Sequence, residues 1–300
     1  MVAAPLEEVL FRIKVHGWCV LPAVIPLGEV ATIRADMERV ASEEGGGGRI
    51  ECILNKLEHT AHNFSRYLAS ERIMAPVSSI FGGQHIRVRT NAGFVNPPIT
   101  EPQPEHRQKP SAQGMHADGP FLQQLPVRVA APYQDATIQL TAIWMLSDFT
   151  VDNGATRLLT GSHRANTNPT ANAAFQPTAA AIAAAEGLGD LSQPDPAIVT
   201  ATGTAGDVIL FDNRCWHGGG PNISSGPRVG LIMVYFPWWL CQDQNRPPGT
   251  AERARLKAET GLTDAQLGPG TLLLPATAFA AMADEAKPLV RHWLEPPARL

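Results

Sequence analysis

Apolar positions in the first quarter of the chain recur with a helical period. Between residues 27 and 44 (LGEVATIRADMERVASEE), Val30, Ile33, Met37 and Val40 stand three or four apart, which lines them along one face of an amphipathic helix. The glycines from Gly45 to Gly48 end it. Ahead of it, Trp18, Cys19, Val20 and Leu21 read as a short strand, and Glu58 to Ile80 as a second helical region. From Ile86 the pattern becomes strand-like: Ile86 to Val95, Ile138 to Leu146, Arg157 to Thr160, Val208 to Phe211 and Val229 to Phe236 are apolar runs divided by Gly, Pro, Asn and Asp clusters. That punctuation predicts a mainly β fold with flanking helices, closed as a double-stranded β-helix of the jelly-roll or cupin-like kind.

The length fits one domain, residues 1–300. Its parts are an N-terminal helical region (1–82), a barrel (about 86–240) and a helical, Pro-rich C-terminal extension (242–300). An Ala-, Pro- and Asn-rich excursion over 165–198, with a short helix expected around Ala179 to Ala185, interrupts the barrel. Inserted loops at a barrel rim commonly form lids or substrate walls.

Apolar residues make up 44% and charged residues 17% of the chain, a globular composition, and the net charge of −4 gives no general attraction to nucleic acid or anionic lipid. Cys19, Cys52, Cys215 and Cys241 form no CxxC pair, so neither a zinc ribbon nor a disulfide framework is expected. Glu7, Glu8, Arg12 and Lys14 fall where a signal peptide needs an apolar run, and no stretch approaches 18 uncharged apolar residues. The expectation is a cytoplasmic protein, with a peroxisomal address read from Ala298-Arg299-Leu300 as the weaker alternative.

The chemistry is concentrated in two segments. In Gln113-Gly-Met-His116-Ala-Asp118 the histidine and aspartate are two apart, so in extended chain both project to one side. About a hundred residues later, AGDVILFDNRCWHGGGPNISSGPRVGLIMVYF carries His217 at the end of one strand-like run and Arg228 before the next. Two imidazoles and a carboxylate on one face of a divalent iron leave adjacent positions free, enough for a bidentate 2-oxo acid plus oxygen. His59 and His62 have a three-residue spacing that can suit a metal, but no carboxylate motif accompanies them.

Around these residues the chain resembles the phytanoyl-CoA dioxygenase family of iron(II)/2-oxoglutarate oxygenases, over roughly residues 10 to 245. The matching stretches are Gly17-Trp18-Cys19-Val20-Leu21-Pro22, His116-Ala-Asp118, Ala142-Ile-Trp144 running through Asp148 to Asn153-Gly154-Ala-Thr156, Gly161-Ser162-His163-Arg164, and Ala205-Gly206-Asp207-Val208 with Phe211, His217, Asn222 and Arg228. The resemblance implies that His116, Asp118 and His217 bind Fe(II), and that Arg228 pairs with the distal carboxylate of the cosubstrate 2-oxoglutarate, O2 being the second cosubstrate. Gln113 and Thr156 match cosubstrate contacts; Trp144 matches an aromatic position that lines the cosubstrate pocket or fills the barrel core. His163 is structural in the family, and the presence of Asp118 argues against halogenation, since related halogenases lack that carboxylate.

The loop from Asp118 to Trp144 is longer than in the fatty-acyl members and has no basic cluster for a coenzyme A phosphate, and Thr160 stands where Pro is usual. The expected substrate is therefore a small, mostly apolar metabolite of secondary metabolism, polycyclic or peptide-derived, held by loops 119–135 and 165–198 with help from 237–250. Phe121, Leu122 and Tyr133 are its candidate contacts. Covering the barrel edge or forming a homodimer contact is the other use for these loops. Rival readings are an acyl-CoA or lipid-acid hydroxylase, an inactive ligand-binding barrel, and a zinc hydrolase, which would leave Arg228 unexplained.

Overall fold

The computed structural model describes residues 4–45, 48–51, 53–56, 61–83, 85–100, 115–118, 136–164, 197–237, 274, 276–291 and 294. The helices among these are α1 (Leu6–His16), α2 (Leu27–Glu43), α3 (Ile53–Lys56), α4 (Ala61–Leu68), α5 (Glu71–Phe81), α6 (Ala276–Ala281) and α7 (Lys287–Val290). The strands are β1 (Trp18–Leu21), β2 (Gly48–Glu51), β3 (Ile86–Asn96), β4 (Leu140–Met145), β5 (Thr156–Leu159), β6 (Ile198–Thr200), β7 (Val208–Asp212), β8 (His217–Gly219) and β9 (Arg228–Pro237). The helix over 27–44 and the long strands stand where periodicity placed them; the second helical region divides at Ala69–Ser70 into α4 and α5. Helix α1 falls inside the N-terminal helical region 1–82, where no separate helix is read from periodicity, and the short strands β2, β6 and β8 have no counterpart among the predicted elements.

All pairs between the named strands of the described residues are antiparallel. One sheet has the order β1-β7-β4-β9-β3-β2, the other β6-β5-β8, and a bridge between His116 and His217 lays the 115–118 segment beside β8. This is the expected jelly-roll arrangement, and the order explains the unbroken apolar runs. Every residue of the central strand β4 is buried. Leu140, Ala142 and Trp144 face the helix layer with Ile33, Met37 and Phe64, while Ile143 and Met145 face inward with Phe149, Leu158, Ile209 and Phe211. A strand covered on both faces has no polar side to display, so alternation disappears from its sequence. Helices α1 to α5 thus back the large sheet from outside, and the small sheet closes the interior in which the functional side chains meet. None of the described helices is long and apolar enough to cross a membrane.

Candidate metal centre

Strand β7 ends in a tight turn that delivers the third ligand. The Asp212 carboxylate accepts from the Arg214 backbone N–H (2.9 Å) and forms a buried ion pair with its guanidinium (2.8 Å), while the Asp212 carbonyl accepts from the Cys215 N–H (2.8 Å). The chain then enters β8 at His217, whose N–H donates to the His116 carbonyl (2.8 Å) and whose carbonyl accepts from the His116 N–H (2.9 Å). One further bond, from the Asp118 N–H to the Asn213 carbonyl (2.9 Å), fixes the end of the HxD segment. Two stretches a hundred residues apart are therefore joined backbone to backbone at the site itself.

The ligand atoms of His116, Asp118 and His217 all lie within 4.8 Å of one another. Asp118 is central: its Oδ1 is 3.5 Å from His116 Nε2 and its Oδ2 3.5 Å from His217 Nε2. His217 Nδ1 lies 3.0 Å from the Cys215 carbonyl; a carbonyl can only accept, so Nδ1 carries the proton and a neutral ring presents its Nε2 lone pair to Asp118. Burial pushes the His217 imidazole down and keeps it neutral, with the Asp118 charge opposing. The Asp118 carboxyl is held well below the usual carboxylate range against the cost of burial by the positive charge that His217 and His116 would carry if protonated and by Arg49; with the imidazoles neutral, a bound cation takes over that part. A lone pair and a carboxylate facing each other are two acceptors, an arrangement that becomes attractive with a cation between them. The donor set fits a hard-to-borderline divalent metal such as iron(II).

Arg228 opens β9 and projects inward. Its side chain is buried between two rings, 4.7 Å from the Phe94 centroid and 4.6 Å from that of Phe149, and Nε donates to the Asn153 carbonyl at 3.1 Å. Among the described residues these are its partners, and no carboxylate is one of them. Burial pushes the guanidinium down to about 10. Phe149 shares the interior cluster with Phe211, which packs on the His217 ring at 4.7 Å, so this cation, which has no carboxylate partner among the described residues, and the His116, Asp118 and His217 cluster line one interior. Thr156 is buried at the start of β5 and, two residues before the His217-paired Leu158, faces the same way.

Trp144 lies elsewhere. It packs edge-on to Phe64 (5.5 Å) and against Tyr235 (6.4 Å) in the helix-side core, because its even position on β4 turns it away from the barrel interior, to the side on which the core alternative would have it. Gln113, Phe121, Leu122, Tyr133 and His59 lie outside the described residues. His163 takes no part in the triad: its Nε2 meets the Lys14 carbonyl at 3.0 Å. Sequence reasoning missed the Phe94 and Phe149 shelf, the Asn153 carbonyl and the Cys215 carbonyl. Only Asn153, in an Asn-Gly turn, carried a local signal; backbone acceptors have none.

The sequence model described as phytanoyl-CoA dioxygenase (PhyH) matches residues 13–230. The chain is 24% identical to the dioxygenase af480 of Aspergillus fumigatus over 242 residues, 77% of this chain and 66% of that protein. It is likewise 24% identical to the ectoine dioxygenase of Stutzerimonas stutzeri over 283 residues, 85% and 86% of the two chains. Among solved structures, the epimerase SnoN in complex with Fe3+, alpha-ketoglutarate and nogalamycin RO superposes with a TM-score of 0.53 at 22% identity, covering 77% of this chain and 83% of that one. With a family match running through the triad to Arg228 and beyond, on a barrel that gathers those residues into one interior, this chain belongs to the phytanoyl-CoA dioxygenase family of non-haem iron, 2-oxoglutarate-dependent oxygenases.

Proposed function

We propose that this enzyme uses iron(II), 2-oxoglutarate and O2 to oxidise a small, mostly apolar metabolite, by hydroxylation or a related C–H oxidation, in secondary metabolism. The observation that carries the reading is the buried Arg228 guanidinium, with no carboxylate partner among the described residues, in the interior that also holds His116, Asp118 and His217. A buried cation without an anion is destabilising unless a ligand supplies one, and a dicarboxylate cosubstrate does so through its distal group.

In this reading His116, Asp118 and His217 would hold the metal. Arg228 anchors the cosubstrate with a charge-assisted pair, its plane fixed by the Phe94 and Phe149 faces and by Asn153. Those rings, with Phe211, exclude water from the interior, which strengthens the pairing. Thr156 offers a hydroxyl on the same wall, and Gln113 a further contact to the cosubstrate. When bound, iron, 2-oxoglutarate and O2 supply a two-electron oxidation of a C–H bond coupled to formation of succinate and carbon dioxide.

The absence of a basic cluster from the 118–144 loop sequence favours a free metabolite over a coenzyme A ester, with Phe121, Leu122 and Tyr133 as its contacts. The natural product held by the structurally similar epimerase is of that kind. The test is oxygen- and iron-dependent succinate formation across polycyclic and peptide-derived metabolites and matched acyl thioesters. Coupled turnover with the free metabolites is expected. Preference for coenzyme A esters would overturn the substrate class, and hydrolysis supported by zinc without 2-oxoglutarate would overturn the reaction.

A further inference from the structure

The pairing of β5 with β8 contains an irregular rung one residue before His217. The Leu159 N–H donates to the Trp216 carbonyl at 2.9 Å as a regular ladder requires. The return bond, from the Trp216 N–H to the Leu159 carbonyl, is replaced by a relay through a side chain. The Trp216 N–H donates to Ser162 Oγ at 2.8 Å, and Ser162 Oγ donates to the Leu159 carbonyl at 2.6 Å. Ser162 sits on the single 3-10 turn Ser162–Arg164 that follows β5, and it is buried. Its hydroxyl also lies 3.6 Å from Cys215 Sγ.

The bonds on either side of that rung orient His217. Before it, the Cys215 carbonyl accepts from His217 Nδ1; after it, His217 exchanges both backbone bonds with His116. Every polar backbone group between the Cys215 carbonyl and the His217 carbonyl is thereby committed, and Ser162 holds the one N–H that strand pairing leaves over.

We infer that Ser162 is a positioning residue for the metal site, its hydroxyl acting as a spacer that sets the distance of the His217-bearing strand from β5 and so the direction in which His217 Nε2 points. The inference rests on the proposed role of His116, Asp118 and His217 as the metal ligands. With the hydroxyl removed, the Leu159 carbonyl keeps only the 3.5 Å contact from Cys215 Sγ, and the Trp216 N–H either loses the hydroxyl it donates to or closes into a direct ladder bond with that carbonyl. Closure draws β8 toward β5 and turns His217 relative to Asp118, from which it now stands 3.5 Å. Disturbing groups that orient a metal ligand typically weakens metal binding roughly 10- to 100-fold.

The experiment is titration of the metal-free full chain with Co(II), read by the d–d absorption of the bound ion, alongside thermal melting without metal. Wild type is expected to bind one Co(II). Ser162→Ala should bind it roughly 10-fold or more weakly with a shifted d–d spectrum, and Ser162→Thr should restore both. His163→Ala is the control. It removes a buried ring from the same turn and its bond to the Lys14 carbonyl but leaves the hydroxyl, so it should lower the melting temperature while keeping the cobalt spectrum and affinity. If Ser162→Ala does not fold, Ser162→Cys, which keeps a weak donor and acceptor, should show the same spectral shift to a smaller degree. An unchanged cobalt spectrum and affinity in the alanine variant, or in the cysteine variant standing in for it, would overturn the inference, as would losses in Ser162→Ala and His163→Ala that track melting temperature alike. Failure of the wild type to bind Co(II) would instead strike the triad itself.

Discussion

Replacing Arg228 with Met separates what this side chain does for binding from what it does to the fold. Burial lowers the guanidinium from its ordinary range to about 10, which corresponds to about 3 kcal/mol against the charged form in the folded state. The Phe94 and Phe149 faces return about 1 to 2 kcal/mol of this. Since the unfolded chain binds the proton more tightly, the penalty is fully present below about 10, neutral pH included, and is relieved only as pH rises from there into the ordinary arginine range. A methionine occupies the same slot without the charge. Arg228→Met is therefore expected to leave the metal-free protein as stable as wild type or up to about 3 kcal/mol more stable. The same substitution should weaken 2-oxoglutarate by about 2 to 5 kcal/mol, roughly 30-fold to several thousand-fold. Urea denaturation of the metal-free chain at neutral pH gives the first quantity, and calorimetric titration of 2-oxoglutarate into the Mn(II)-loaded protein the second. A variant that loses about 2 kcal/mol or more of stability while keeping its affinity would show that Arg228 is a structural cation and that the cosubstrate binds elsewhere.

Other substitutions test neighbouring parts of the argument. His116→Ala, Asp118→Ala and His217→Ala should each abolish stoichiometric metal binding in equilibrium dialysis with Mn(II), because two remaining ligands hold the ion poorly; full occupancy in any one variant removes that residue from the triad. Trp144→Ala should lower stability by about 3 to 5 kcal/mol through the cavity it leaves with 2-oxoglutarate affinity unchanged. Trp144→Phe should cost less than about 1.5 kcal/mol, since the indole N–H it removes is buried without a hydrogen-bond partner among the described residues; a specific loss of cosubstrate affinity in the Phe variant would put the ring back in the pocket. Gly154→Ala forces a side chain at φ +77, where its Cβ would come 2.4 Å from the Gly220 carbonyl oxygen. It should displace the Asn153 carbonyl from Arg228 and weaken 2-oxoglutarate as well as stability, both measured as above.

The parts of this molecule legible in its sequence are those where one physical demand acts on neighbouring residues. Helix α2 buries Val30, Ile33, Met37 and Val40 against the sheet and leaves the positions between them to solvent or partial cover, so its period is written plainly. The His116-x-Asp118 pair is legible for the same reason, since an extended chain turns both side chains one way. The short strands are not: β8 is three residues, His-Gly-Gly, and exists because His116 and Leu158 pair with it from either side. No propensity in His-Gly-Gly announces a strand.

Trp144 shows the other limit. The run Leu140–Met145 is apolar throughout because one half of it faces the helices and the other half the barrel interior. In a strand buried on both sides hydrophobicity carries no information about which face a residue takes, so membership of a motif was the only guide to Trp144, and it left the pocket and the core equally open. Parity becomes readable once one position is anchored. Thr141, bonded at 2.6 Å to Asn213 Oδ1 beside the turn that leads to His217, marks the odd positions as interior, and an even-numbered tryptophan must then stand on the far side. The same reasoning from Arg228 along β9 places Gly230 and Ile232 inside and Val229, Leu231, Met233 and Tyr235 against the helices. A single polar residue with a known duty thus orients a whole strand that hydrophobicity alone leaves ambiguous.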